Sequence, residues 1–420
     1  MFRDDRRLTG REAVDQSPES ADFQARLRDW RALSLETQVR LIAAGDGDFQ
    51  PSSEPELGRL RVGLWCPCLG LGGAEVWQLA LARAVDSDRI VWKGAAVLDP
   101  AASCDPSMLR QLGAMMPVGR GLRAARDLAA ATDVIISWAV TNVATLLDGL
   151  PDPPRVIMAC HFPGESPWGP GTEELLVGVD RFVAVSELAV ESTPASVRDR
   201  ITVIWNAVDA DRMIENRDRA ATRAAWNVPV DAPVVGFVGR LAPEKDPAAL
   251  LRLARELPEP WHVVLVGEGR ERPALSREIA ATGLTRVHLV GGDAAVGDVL
   301  RGFDALVVPS WYESFGLTLA EGLWAGIPVI ATRSGLAQLV PGLIREIPVS
   351  ASGREILEAI QADESDPDAT RLRVERARAF VHEHLTLERF GAEWTSLLIG
   401  LAGQEREGGI DAALFYGCGS

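Results

Sequence analysis

Two carboxylates at a fixed spacing are the first residues in this chain that could do chemistry. Glu313 lies in a polar, Gly-containing stretch at 310–316, and Glu321 follows eight residues on, within PSWYESFGLTLAEGLWAGIPVIAT at 309–332. The apolar run at 305–309 reads as a buried strand. A helical pattern starts near Leu317 and stops before Gly326-Ile327-Pro328, and Val329-Ile330-Ala331 reads as the next strand. Side chains on a helix lean toward its N-terminus, so Glu321, on the face of Leu317, can approach the space in front of the loop. The amides of Phe315, Gly316 and Leu317 point into the same space, and free N–H groups at a helix start make an anion site. Amides for a phosphate, with carboxylates for hydroxyls on either side, match a sugar nucleotide: diphosphate in the middle, ribose and hexose at the flanks. A plainer reading stands beside it. Thr318-Leu-Ala-Glu321 fits a capping box, in which Glu321 would bond only a backbone amide.

Two cations add to the first reading. Arg240 and Lys245 follow the apolar run at 234–238 directly, in GRLAPEK at 239–245. Placed together they can neutralise a diphosphate leaving group, Arg by a bidentate fork and Lys as a point charge; placed apart they are two solvated surface cations. His161, after the run at 155–159, can donate to a phosphate or a hydroxyl, or serve as an ordinary structural histidine. Gly70-Leu-Gly-Gly73 is a turn through which backbone can approach a ligand closely, or simply a tight turn. It is not the G-x-G-x-x-G fingerprint, so a nicotinamide cofactor is not indicated. Cys66-Pro-Cys68 is a C-x-C with no second pair and no His cluster, and reads as small apolar filling rather than a metal site.

The elements that would position these residues are short, continuously apolar strands alternating with helices. In the first half they fall at 60–65, 90–95, 134–137, 155–159, 181–185 and 201–204; in the second at 234–238, 262–266, 287–290, 305–308 and 329–331. Such runs mark parallel sheets covered by helices on both faces, the α/β doubly wound class. Ligands of these sheets bind beyond the carboxyl ends of the strands. Eight strand ends here carry the unusual residues, among them Gly72-Gly73, His161, Ser186, Asn206, Gly239, Gly267, Gly291-Gly292 and the Glu313 loop. Two domains facing across a cleft would converge them.

Length and charge bound the rest. A chain of 420 residues exceeds one core, so two domains are the default. The formal charge is -16 and the pI about 4.9, which argues against a nucleic-acid binder that works by general electrostatics. Five scattered cysteines form no disulfide framework and suit a reducing compartment. The N-terminus lacks the apolar core of a signal peptide, and no stretch approaches the ~18 apolar residues of a membrane helix. A soluble cytoplasmic protein is expected. The expected divisions are an accessory extension at 1–58, with one or two amphipathic helices at 21–42; a first α/β domain at 59–212; a second at 213–385; a last helix at 386–403; and a tail at 404–420. Arg120, Arg123 and Arg126 fall on one helical face, which could meet an anionic lipid-linked acceptor or membrane, or be a solvated face.

GRLAPEKD at 239–246, LVGEG at 265–269, VHLVGG at 287–292 and ESFGLTLAE at 313–321 resemble the retaining GT-B glycosyltransferases of family 4, also called glycosyl transferases group 1. GGAE at 72–75, VAVSE at 183–187 and VIWNAVD at 203–209 agree in kind and order. The resemblance implies two Rossmann-like domains, and transfer of a sugar from a UDP- or GDP-linked donor to a glycan, lipid-linked or small-molecule acceptor, with retention and without metal or other cofactor. It implies that Arg240 and Lys245 hold the diphosphate and that Glu321 holds the ribose. Glu313 and the Ser314, Phe315, Gly316, Leu317 and Thr318 segment would hold sugar and phosphate, with Gly239 and Gly291 lining the donor side. Gly72-Gly73 would face the donor from the acceptor domain, His161 would stand near the reacting centre, and the terminal helix would cross back to the first domain. Ala207 and Asp246 stand where the family often has Gly, Gln338 where it often has Glu, and Pro341 alters the continuation. Nucleotide-sugar epimerases, glycan phosphorylases and silent sugar-nucleotide-binding proteins share the same architecture and remain alternatives.

Overall fold

The computed structural model describes residues 49–404, apart from 71, 99–103, 139–142, 162–175, 192, 215 and 293–294. The extension up to residue 48, with its expected helices, and the tail from 405 lie outside the described residues, as does the continuation of the His161 turn.

Two parallel sheets form the frame. The first holds β1 (Leu60–Cys66), β2 (Ile90–Val97), β3 (Val118–Arg120), β4 (Val134–Trp138), β5 (Arg155–Cys160), β6 (Arg181–Ala184) and β7 (Ile201–Val203), in the order β3-β2-β1-β4-β5-β6-β7. The second holds β8 (Val234–Val238), β9 (His262–Val266), β10 (Val287–Val290), β11 (Ala305–Val308), β12 (Val329–Thr332) and β13 (Arg345–Ile347), in the order β10-β9-β8-β11-β12-β13. The order reverses between β1 and β4, and between β8 and β11. A ligand crevice forms at such a switch point, beyond the carboxyl ends of the strands. The Gly-rich turn follows β1, the Arg240 loop follows β8 and the Glu313 loop follows β11, so all three stand at switch points.

The strands are apolar because helices cover both of their faces. Leu64, Val134 and Ile157 point into one cluster of the first sheet, and Trp65, Ile135 and Val156 into the other. The second sheet is covered the same way, with Val234 and Leu306 on one side and Val235 and Val307 on the other. One cluster crosses between domains: Val185 and Ala189 join Phe315 and Leu319. The last helix, Leu387–Ala402, buries Phe390, Trp394, Leu398 and Leu401 in the first-domain core. Its approach to the helix Gly73–Ala84 is so close that a Cβ on Gly391 would lie 1.9 Å from the Ala84 carbonyl. Where the chain crosses between sheets it is paired, with the Val208 amide donating to the Leu385 carbonyl at 2.9 Å.

Three sequence expectations change. β3 and β13 were not anticipated; each is three residues long and polar at one end, too short to show a period. Arg120 is not on a helical face: it ends β3 and stands at the N-cap of the helix Gly121–Ala130. Arg126 turns inward to the Leu146 and Asp148 carbonyls, which leaves Arg123, beside Asp127, as the exposed one of the two arginines on that helix.

Candidate nucleotide-sugar site

The helix Leu317–Ala325 is capped by Gly316 in the left-handed region, at φ 94, and no side chain caps it. A non-glycine residue there would be strained. The amides of Phe315, Gly316, Leu317 and Thr318 have no hydrogen-bond acceptor among the described residues. The turn is held open from behind. The Leu336 amide donates to the Phe315 carbonyl at 2.6 Å, Thr332 Oγ1 donates to the Ser310 carbonyl at 2.5 Å, and a Cβ on Gly335 would clash with Phe315 O at 2.4 Å. This is a bare helix N-terminus of the kind that takes an anion.

Glu313 and Glu321 flank it. The Glu313 carboxylate, 14% exposed, accepts from Lys245 Nζ at 2.6 Å and from Ser310 Oγ at 2.8 Å. Glu321 is 8% exposed, and its Oε1 accepts from Arg212 Nη2 at 3.4 Å. Burial pushes the Glu321 carboxyl above its ordinary range, and Arg212 pulls it back. The capping-box reading fails: Thr318 lies inside the helix rather than at its cap, and Glu321 bonds a guanidinium rather than a backbone amide.

The two cations part company. Lys245 is joined to Glu313. Arg240 is 56% exposed and lies 3.0 Å from Glu244 Oε1, while acting electrostatically on Glu75 of the first domain. The turn that carries them follows Gly239, whose carbonyl would sit 1.9 Å from a Cβ on Gly267, so the loops after β8 and β9 touch backbone to backbone. Gly291, after β10, lies against Glu268, further along the same rim. Asp246, where the resembling family often has Gly, is left-handed at φ 46, and its carboxylate is held by Arg252 at 2.7 Å. Gln338 is exposed on the short helix Leu336–Leu339.

The first domain closes the other side. A Cβ on Gly73 would be 3.6 Å from Leu317 Cδ1, which puts the Gly-rich turn directly opposite the helix N-terminus. Behind the turn, the buried Glu75 carboxylate lies 2.5 Å from the Cβ position of Gly72, and Cys68 Sγ donates to it at 3.7 Å. Burial pushes Glu75 up and Cys68 to about 12. The domains are stitched at Ser314: Ser186 Oγ donates to the Ser314 carbonyl at 2.5 Å, and Ser314 Oγ donates to the His161 carbonyl at 2.7 Å. The His161 ring lies edge-on to Trp77 at 4.5 Å and to Trp138 at 6.2 Å, and burial lowers its pKa from 6.5 to about 3. It is a neutral imidazole near pH 7.

Arg212, Ser310, Glu75 and Gly335 belong to this site, and none of them stood out in the sequence. Glu75 had a signal, as the last residue of GGAE; Ser310 had one in its three-residue spacing from Glu313. Arg212 and Gly335 had none, since each acts on a residue distant in the chain.

Residues 218–340 match the family described as glycosyl transferases group 1. The chain is 32% identical over 203 residues to a D-inositol 3-phosphate glycosyltransferase of Xylanimonas cellulosilytica, covering 43% of this chain and 48% of that protein. It is 31% identical over 207 residues to the protein of that name from Mycolicibacterium smegmatis, covering 47% of this chain and 45% of that one. The chain thus spans about half the length of the curated relatives it matches. The structure of Anabaena HepE in complex with UDP-glucose superposes with a TM-score of 0.68 at 19% identity, covering 81% of this chain and 100% of that one. The chain therefore has the two-domain GT-B fold, and its second domain carries the match to glycosyl transferases group 1.

Proposed function

We propose that the protein is a retaining glycosyltransferase, moving a sugar from a nucleoside-diphosphate sugar to a hydroxyl of a glycan, lipid-linked or small-molecule acceptor. The observation that carries this reading is the bare amide turn at Phe315–Thr318, flanked by Glu313 with Lys245 and by Glu321, and faced by Gly73. The amides and Lys245 suit the diphosphate, Glu321 the ribose hydroxyls and Glu313 the sugar. UDP, which the Anabaena neighbour holds, is the first nucleotide to test.

In the step we infer, the acceptor oxygen forms a bond to the anomeric carbon as the bond from that carbon to the phosphate oxygen breaks. The acceptor proton passes to the departing phosphate on the same face, which preserves configuration and needs no protein base. Charge grows on the diphosphate, where preorganised amides, Lys245 and Arg240 stabilise it without a metal. His161, neutral, supplies a hydrogen bond to a sugar hydroxyl rather than a charge. Among the described residues no helix is long and apolar enough to cross a membrane; Cys66, Cys68 and Cys160 form no disulfide, which suits the reducing cytoplasm we propose as the setting.

The test is incubation of the purified protein with UDP-, GDP- and ADP-sugars in EDTA, alone and with lipid and glycan extracts. The reading predicts release of one nucleoside diphosphate and a product one sugar heavier by mass spectrometry. No release from any donor would leave a silent binding protein. Activity that EDTA abolishes and Mn²⁺ or Mg²⁺ restores would overturn the metal-free step.

A further inference from the structure

We propose that Arg212 is a positioning residue for the nucleotide: its guanidinium holds Glu321 as a carboxylate aimed at ribose hydroxyls. The ribose half of this rests on the nucleotide-sugar reading; the ionisation half does not. Arg212 sits in the turn Ala210–Met213, on the connection between the two sheets, and reaches across to Glu321 Oε1 at 3.4 Å. A carboxylate as buried as Glu321 takes up a proton unless it is paired. Protonation would turn one acceptor oxygen into a donor, and ribose hydroxyls need acceptors. A carboxylate offers about four lone-pair sites, so one guanidinium contact leaves room for two hydroxyls.

A second charge makes the pairing necessary. Asp209, buried at the N-cap of the same turn, adds a negative charge that works against ionisation of Glu321. Its Oδ1 accepts from the Asp211 amide at 3.0 Å, and its Oδ2 is answered by Arg83 Nη1 at 2.5 Å. Arg83 stands in the last turn of the helix Gly73–Ala84, whose first residues are the Gly-rich turn across the cleft. Among the described residues, Arg212 and Asp209 are the charged groups acting on Glu321. The helix Pro367–His384, packed on the helix Leu317–Ala325 that carries Glu321, turns Arg378 to Gly326 and His382 to Trp324.

The experiment uses Arg212→Met and Arg212→Lys, with melting followed in parallel to confirm folding. In the nucleotide-free protein, infrared titration of Arg212→Met should show a protonated carboxyl near pH 7 that wild type, Arg212→Lys and Arg212→Met/Glu321→Gln lack. Titration with UDP in wild type gives the reference profile between pH 6 and 8, which includes the ligand's own terminal phosphate, ionising at about pH 6. In Arg212→Met the affinity relative to wild type should weaken as pH falls, by up to about tenfold per unit below the new pKa, because only the ionised form accepts from ribose. A purely structural arginine would not change the pH profile. No added protonated carboxyl in folded Arg212→Met overturns the ionisation half. An Arg212→Met affinity for UDP that runs parallel to the wild-type pH profile overturns the ribose half. If wild type binds UDP, GDP and ADP at no pH, the ribose half falls together with the nucleotide reading, and the infrared band still decides the ionisation half.

Discussion

At the scale of residues, the site is a set of charges already paired before any donor arrives. Lys245 is on Glu313, Arg212 on Glu321 and Arg240 on Glu244. Removing Lys245 or Arg240 should each lower transfer by at least ~100-fold, the scale of one lost transition-state charge contact. The two variants should differ in stability. Arg240→Ala removes an exposed pair, worth little, and should leave Tm unchanged; Lys245→Ala strands a largely buried carboxylate and should lower it. Near-wild-type transfer in either variant removes that residue from the site. His161 makes a separate prediction. Its folded pKa, about 3, lies below its ordinary 6.5, so the unfolded chain binds the extra proton between those values. Stability from this group is complete above pH 6.5 and is lost as pH falls through that window. Denaturant midpoints measured from pH 6.5 down to 3.5 should therefore fall less steeply in His161→Gln than in wild type; an identical slope would mean the imidazole is not held neutral. At this scale the placing of Glu313 and Glu321 about one helix start was legible, because their spacing within one strand–loop–helix segment is itself the signal; the expected pairing of Arg240 with Lys245 was not met, since Lys245 is joined to Glu313 and Arg240 to Glu244. Arg212 was not legible: its partner lies 109 residues away, and an isolated Arg in an acidic connection looks like surface.

At the scale of elements, the helix Leu317–Ala325 decides what Glu321 does. With Gly316 as cap and the buried face turned to Arg212, Glu321 is free of any capping duty. Glu321→Gln keeps the shape but loses charge and one acceptor oxygen, and charge-assisted bonds are roughly twice as strong as neutral ones. Nucleoside diphosphate affinity should drop while Tm barely moves. Glu313→Gln should instead lower turnover, because the sugar changes shape in the transition state and the ribose does not. Calorimetric titration against the bare diphosphate separates the two; unchanged affinity in Glu321→Gln would end the ribose assignment. The core strands were legible for a physical reason. A strand buried on both faces, such as β8 or β11, is apolar throughout and bounded by Gly or Pro. The edge strands β3 and β13 carry Arg120, Arg345 and Glu346, and polar edges resemble loops.

At the scale of the molecule, two switch points face each other, and the first domain's side is braced by the last helix. Trp394, fully buried, lies edge-on to Trp77 at 5.6 Å, and Trp77 lies edge-on to His161 at 4.5 Å. Trp394→Ala should cost about 3–5 kcal/mol of stability by cavity formation, with transfer falling further than in Trp394→Phe at a temperature where both stay folded. Equal activity in the two would cut the last helix from the site. That the domains face each other was inferable from eight strand ends bearing polar or glycine residues; how they touch, through Ser186, Ser314 and His161, was not, since those contacts join residues more than a hundred positions apart. The most direct test of the whole account is a crystal structure of the protein with UDP bound. The account predicts the diphosphate on the amides of Phe315–Thr318 beside Lys245, and the ribose hydroxyls on Glu321. A diphosphate bound elsewhere, or a ribose turned away from Glu321, would contradict it.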